Sequence, residues 1–361
     1  MAGPYANATF QMRHDTPQYC LIAAALAGNA RIPGPDWDWD ATVDIAAREE
    51  VLSNLHAKFS CPPEISDFLA GIHQLNAERN RQLLDEVESL AVLLNQAGIE
   101  PVLLKGAAYL VTGVYSDPAD RMLQDIDFLV SPAQSRQAFE IIQGAGYEPY
   151  VPNPTALVLH HHPALTRVHR VPVEIHYSLG QGASNTILRA DEIVDRSTQH
   201  RLGRAAVRIP SAEHLMTHAI VHSQIQHGSY SRIWPSLRAM LDLVLLGRRF
   251  PFAWDAVRNR FCAHQKTALL NLHLMQIEES LGVSAPFRIP RGGLRWLYRQ
   301  ALWQEPRLRR LDPVYIFSRV VLPKVSLSWR LLKHPVGRKY VLSTPFRLSF
   351  YKRLLSDIAQ G

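Results

Sequence analysis

The sequence predicts an α+β fold, and three observations carry the prediction. From Pro62 to Gly98 apolar residues keep helical spacing over a long stretch, including Ile65, Leu69, Ile72, Leu83, Val87, Leu90 and Leu94. Short apolar runs follow, at Val102–Leu104, Asp125–Val130 and Val171–Tyr177, and the last two alternate apolar and polar residues as half-buried strands do. Helical periodicity then returns beyond residue 211 and lasts to about residue 281.

In chain order, residues 1–13 carry no periodicity, and a helical pattern opening near Thr16 stops at Gly28-Asn29. Pro33 to Asp40 is a turn rich in Pro and Asp, with Asp40 placed to cap a helix from Ala41 to about His56. Asp38 and Asp40 are expected as turn and cap residues, not metal ligands. Pro62-Pro63 opens the long helix and Ala97-Gly98 ends it. Val102-Leu103-Leu104 is a short strand stopping at Lys105-Gly106, followed by a short helix to about Tyr115 and a loop through Asp120. After the Asp125–Val130 strand, Ser131-Pro132 starts a helix that runs to Gly144, and Tyr147–Val151 reads as a strand. Thr166–His169 and Val171–Tyr177 alternate like paired strands. In the second, Val171, Val173 and Ile175 share one face, Glu174 and His176 the other. Residues 190–210 read as a loop and one short strand. Ser211 opens a helix bearing His218 and His222. A helix from about Trp234 to Leu246 bears Arg238 and Asp242, spaced to pair with each other or to bridge to the sheet. Helices near 253–262 and 265–281 follow, and from Pro290 the chain reads as helix broken by prolines.

The chemistry concentrates between Pro101 and Val130. Side chains alternate along a strand, so Asp125 and Asp127 point the same way with Cα atoms about 6.5–7 Å apart, while Ile126 and Phe128 point into a core. Hard divalent cations such as Mg²⁺ take oxygen ligands, and two carboxylates on one strand face suit them. Glu174 stands where a third sheet carboxylate would join the pair. Gly106 admits close backbone approach at a helix start, where amides favour an anion.

These residues resemble a known pattern. Leu103-Leu104-Lys105-Gly106, then Arg121, then Asp125-Ile126-Asp127-Phe128-Leu129-Val130 and Val173-Glu174-Ile175-His176 are similar to the bacterial uncharacterised nucleotidyltransferase family, within the superfamily typified by DNA polymerase beta. The resemblance covers roughly residues 75–250. It implies a mixed sheet core flanked by helices, and Mg²⁺-dependent transfer of a nucleoside monophosphate from an NTP to a hydroxyl acceptor: a small molecule, sugar, peptide or protein, or RNA. It implies two ions, with Mn²⁺ as an alternative, on Asp125, Asp127 and Glu174, the same three carboxylates being the catalytic set. Lys105, Gly106, Arg121 and His176 are the implied nucleotide-binding residues. Many such enzymes carry Gly-Ser where this chain has Gly106-Ala107, so a serine hydroxyl to the triphosphate is missing. A non-catalytic scaffold of the same fold is the alternative the missing serine supports.

The implied organisation is a helical N-terminal region (1–74), a nucleotidyltransferase core (75–210), a helical subdomain (211–286) and a basic helical C-terminal region (287–361). Charge divides along the last boundary. Phe287 to Gly361 holds sixteen Lys and Arg against three Asp and Glu; of the whole chain's 39 and 32, that leaves 23 against 29 before it. An anionic partner for the tail, membrane surface or nucleic acid, is the expectation. Cys20, Cys61 and Cys262 show neither metal-ligand spacing nor a disulfide framework, which suits a reduced, cytoplasmic protein, peripheral membrane attachment by the tail being the variant. No apolar run reaches about 18 residues, so no transmembrane helix is expected. His160, His161, His162, His218 and His222 leave open a histidine-metal hydrolase, though no His-Glu-x-x-His pattern is present.

Overall fold

Short strands between long helices assemble into one mixed sheet. The structure is a computed structural model in which residues 17–28, 36–150, 161–180, 183–226, 236–290 and 292 are described. The strands are β1 (Val102–Leu103), β2 (Ile126–Leu129), β3 (Glu148–Pro149), β4 (Leu165–Thr166), β5 (Val173–His176), β6 (Thr198–Leu202) and β7 (Ala205–Ile209). They form a seven-stranded sheet in the order β3-β4-β5-β2-β1-β7-β6. β2 runs antiparallel to β1 and parallel to β5, and β1 runs parallel to β7.

Every residue of β2 is buried. Ile126 and Phe128 enter the main apolar cluster with Leu83, Val87, Leu90 and Leu94 of the long helix, here α3 (Pro63–Gln96). Leu129 turns the other way, to a smaller cluster with Val102, Leu104, Leu188 and Ile193. Burying each such side chain is worth about 1.5–3 kcal/mol, so the strand's alternation fixes its register firmly. The same burial leaves Asp127 no water, and its charge needs partners within the protein.

The remaining helices are α1 (Pro17–Leu26), α2 (Trp39–Arg48), α4 (Lys105–Val111), α5 (Ser135–Gly144), α6 (Ala183–Ile187), α7 (Ala190–Arg196), α8 (Ala212–Val221), α9 (Leu237–Arg249), α10 (Trp254–Ala263) and α11 (Thr267–Leu281). α3 begins with Pro at its first position, where the missing N–H costs nothing, and runs 34 residues. Two buried asparagines on it hold the loop ahead of β2. Asn76 donates to the carbonyls of Ala119 (2.6 Å) and Arg121 (3.2 Å), and Asn80 to those of Pro118 and Arg121, both at 2.7 Å.

Several expectations are corrected. Asp38, not Asp40, caps α2, its Oδ1 accepting from Ala41 N at 2.9 Å, and the helix ends at Arg48 before a separate 3₁₀ turn at Leu52–Leu55. The region 190–210 holds α7 and a full hairpin, β6 with β7, in place of a loop and one strand. Arg238 and Asp242 do not pair along α9. Arg238 pairs with Glu50, and Asp242 bridges to Arg121. The expected strand at Tyr147–Val151 shrinks to Glu148–Pro149; Val151 itself, His160 and the basic region from 293 onward lie outside the described residues.

Candidate active site

The parallel pairing of β2 with β5 builds the site. Register sets Asp127 opposite Glu174 and Leu129 opposite His176. Asp127 and His176 are almost fully enclosed, at 2% and 1% exposure, while Glu174 is half-buried. His176 Nε2 lies 2.8 Å from Asp127 Oδ1 and 3.3 Å from Glu174 Oε2. Lys105 Nζ donates to the same Asp127 oxygen at 2.8 Å. An isolated bridge brings His161 alongside His176, and His161 Nε2 lies 3.7 Å from Glu174 Oε2. His161 Nδ1 donates 2.6 Å to the His162 carbonyl. His162 turns away, packing its ring on Phe139 and edge-on to Tyr177.

Electrostatics follow from this crowding. Burial opposes charge on Asp127, but the Lys105 ammonium and the His176 bond outweigh it and hold the carboxyl well below its usual range. Burial likewise opposes charge on Lys105 and His176, and in each the carboxylates win and raise the pKa. Glu174 is lowered: burial works against its charge, and the bond from His176 overcomes it. Asp125 stands just before β2 and is half-buried. The Asp127 charge first, then burial, pushes it up to about 7. Three carboxylates thus share a small space with two basic side chains.

The donor set suits a divalent metal. Ligand atoms of Asp127, Glu174 and His176 all lie within 4.8 Å of one another. Two carboxylates and one imidazole match Mn²⁺ as well as Mg²⁺, since imidazole is a softer donor than oxygen. His218 and His222 sit 5.8 Å apart between ring centroids, and among the described residues they gather no third ligand.

The other expected residues have different surroundings. Gly106 is buried against Leu123, and a Cβ there would come within 1.8 Å of Leu123 Cδ2, so a larger residue would need the Leu123 side chain to move. Arg121 is buried, with Nε and Nη2 on the two carboxylate oxygens of Asp242 at 2.9 and 3.0 Å. Its Nη1 donates to the Met122 carbonyl, and Tyr115 Oη donates 2.6 Å to Asp242 Oδ1. Lys105 adopts φ +46°, a left-handed conformation, at the turn that carries its ammonium to Asp127.

Beside the carboxylates opens a cleft of about 790 Å³. Asp125 and Glu174 line it, and so do Arg79, Glu86, His169 and Arg170. The two arginines went unnoticed in the sequence. Arg79, Gln82, Leu83 and Glu86 recur along one side of α3, which is the spacing that would have found the first.

An α+β chain with a mixed sheet, carboxylates on adjoining central strands and a cleft beside them has the makings of a transferase. Over residues 35–282 the chain matches the family of uncharacterised nucleotidyltransferases, and it belongs to that family. Among solved structures it is similar to the antibiotic-resistance factor ANT(2″)-Ia, at 11% identity and a TM-score of 0.34, covering 52% of this chain and 96% of that one. It is also similar to an antigenic nucleotidyltransferase-like protein from Paracoccidioides brasiliensis, at 14% identity and a TM-score of 0.32, covering 51% and 92%. No curated protein matches it. No described helix is long and apolar enough to cross a membrane.

Proposed function

We propose that this chain is a divalent-metal-dependent enzyme that moves a nucleoside monophosphate from an NTP to a hydroxyl acceptor. The observation that carries the reading is the Asp127–Glu174–His176 cluster on adjoining strands of a family-matched chain, with Asp125 beside it. Asp127, Glu174 and His176 would hold Mg²⁺ or Mn²⁺, and two ions remain the proposed number. Bound metal would neutralise phosphate charge and orient the reacting oxygens. His176 would give up its Nε2 proton to become a ligand. Glu174, facing the cleft, would take the acceptor's proton. Lys105 supplies fixed positive charge at Asp127. The proposed setting is cytoplasmic.

One observation favours the scaffold reading. Lys105 and His176 already satisfy Asp127 Oδ1 without any ion. Calorimetry with each NTP and Mg²⁺ or Mn²⁺ separates the two. Binding that requires metal and is lost in Asp127→Ala and in Glu174→Gln is the expected result. Incubation with α-phosphate-labelled NTP should then label an acceptor. A folded wild type that binds neither metal nor NTP favours the scaffold.

A further inference from the structure

The residues expected to hold the triphosphate are committed elsewhere. Arg121 spends its guanidinium on Asp242 and the Met122 carbonyl, Gly106 faces Leu123, and Lys105 is bound to Asp127. None of the three lines the cleft that Asp125 and Glu174 face. A polyphosphate brought beside two carboxylates needs cations around it, since phosphoryl and nucleotidyl transfer rest on positioning and charge neutralisation. Among the described residues, the arginines on the cleft wall are Arg79 and Arg170.

Their settings differ in an informative way. Glu86 of α3 is buried; its Oε1 accepts from Tyr147 Oη at 2.6 Å and its Oε2 from Arg170 Nη1 at 2.9 Å. That bond anchors Arg170 at one nitrogen, and its side chain remains 47% exposed. Among the described residues its other side-chain N–H groups have no partner and can meet a ligand. Arg79, half-buried two turns earlier on the same side of α3, has no carboxylate within ion-pair distance among the described residues. An arginine on a cleft wall without an internal partner is a fork set for an external anion, and guanidinium matches phosphate with two parallel hydrogen bonds. The cleft volume of about 790 Å³ falls within the range of small-molecule sites, roughly 300–1,000 Å³.

We infer that Arg79 and Arg170 form a phosphate-binding wall, taking the polyphosphate chain of the nucleoside triphosphate in the cleft that Asp125 and Glu174 also line. This rests on the transferase reading and adds positive charge on the cleft wall to that of Lys105 at Asp127.

Arg79 is the clean probe, because its removal leaves no buried partner unpaired. Arg79→Gln should keep the wild-type melting temperature and weaken NTP binding about tenfold to a hundredfold, the range for losing charge-assisted bonds. Arg79→Lys should recover part of that loss. Binding of the corresponding nucleoside, which has no phosphates, should not change. Calorimetry at fixed Mg²⁺ reads all of these. Unchanged NTP affinity in folded Arg79→Gln overturns the inference, also if only the affinity for an anionic acceptor falls. Equal loss for NTP and nucleoside overturns it too, because the effect would not be on phosphate. A wild type that binds no NTP removes the transferase reading and this one with it, so the two failures are distinguishable.

Discussion

Lys105 is held in a left-handed conformation that a non-glycine residue adopts at a cost of about 1–2 kcal/mol, and the return is an ammonium 2.8 Å from a buried carboxylate. That contact, with the bond from His176, explains why Asp125 and Asp127, alike in sequence, behave oppositely. Asp127 has Lys105 and His176 on it and stays ionised; Asp125 feels chiefly Asp127's charge and is pushed up to about 7. Without metal, Asp125 therefore keeps its proton until near neutrality, and a metal that uses this carboxylate must displace that proton. Mn²⁺ affinity is expected to rise steeply with pH through about 7, because Asp125 and His176 must both lose a proton to bind the metal. Calorimetry from pH 5.5 to 8.5 measures the slope, and Asp125→Asn should make it shallower by about one proton while His176 keeps the remainder. In the sequence, the strand alternation placed Asp127, Glu174 and His176 on shared faces. It could not place Lys105's partner, because a turn residue's direction depends on a backbone angle that no spacing encodes.

Elements meet through their ends, and one such meeting is tunable. Glu49, the residue closing α2, is buried, and its Oε2 accepts from the backbone N–H of Leu237, where α9 begins, at 2.6 Å. Burial pushes its carboxyl up to about 7, against the pull of that hydrogen bond and of the Arg48 and Arg238 charges. The folded state thus resists ionising Glu49, while the unfolded chain ionises it near 4.5. Stability associated with the protonated form is complete below about 4.5 and is lost as pH rises through about 7. Glu49→Gln should consequently stabilise the protein by about 2–3 kcal/mol at pH 8 and hardly at all at pH 4. Urea unfolding at the two pH values tests this. At the same scale, α3 was legible because apolar residues keep helical spacing on both sides of the stretch where its buried face is polar, at Asn76 and Asn80. The β6–β7 hairpin was not, since β6 is an edge strand of almost wholly exposed polar residues, Thr198-Gln199-His200-Arg201-Leu202. Nothing alternates there for a sequence reading to catch.

Across the whole molecule, a buried ionic bridge ties the loop ahead of β2 to the helical part. Arg121 and Asp242 are 121 residues apart and almost fully enclosed, with Tyr115 completing the group. Together with Asn76 and Asn80 it sets the approach of the chain to Asp125 and Asp127. Arg121→Ala should cost about 3–5 kcal/mol by leaving Asp242 buried and uncompensated, whereas the paired change Arg121→Met with Asp242→Leu should recover most of that stability. Denaturant unfolding of the single and double variants decides it. A double variant as unstable as the single one would mean that the bridge holds geometry that packing cannot replace.

By itself, the sequence determined the class of fold, the long helix, the central strand pair and the three carboxylates with His176, because periodicity and alternation are local and survive in one dimension. Tertiary structure alone decided which cations meet which carboxylates. The place of Arg121 in the motif suggests a phosphate partner, yet packing of α9 gives it Asp242. Arg79 carries no motif, yet its place on α3 brings it to the cleft beside Asp125 and Glu174. The reason is physical: charged groups buried on folding must find their counter-charges across large sequence separations, and only the folded chain determines which ones come within reach.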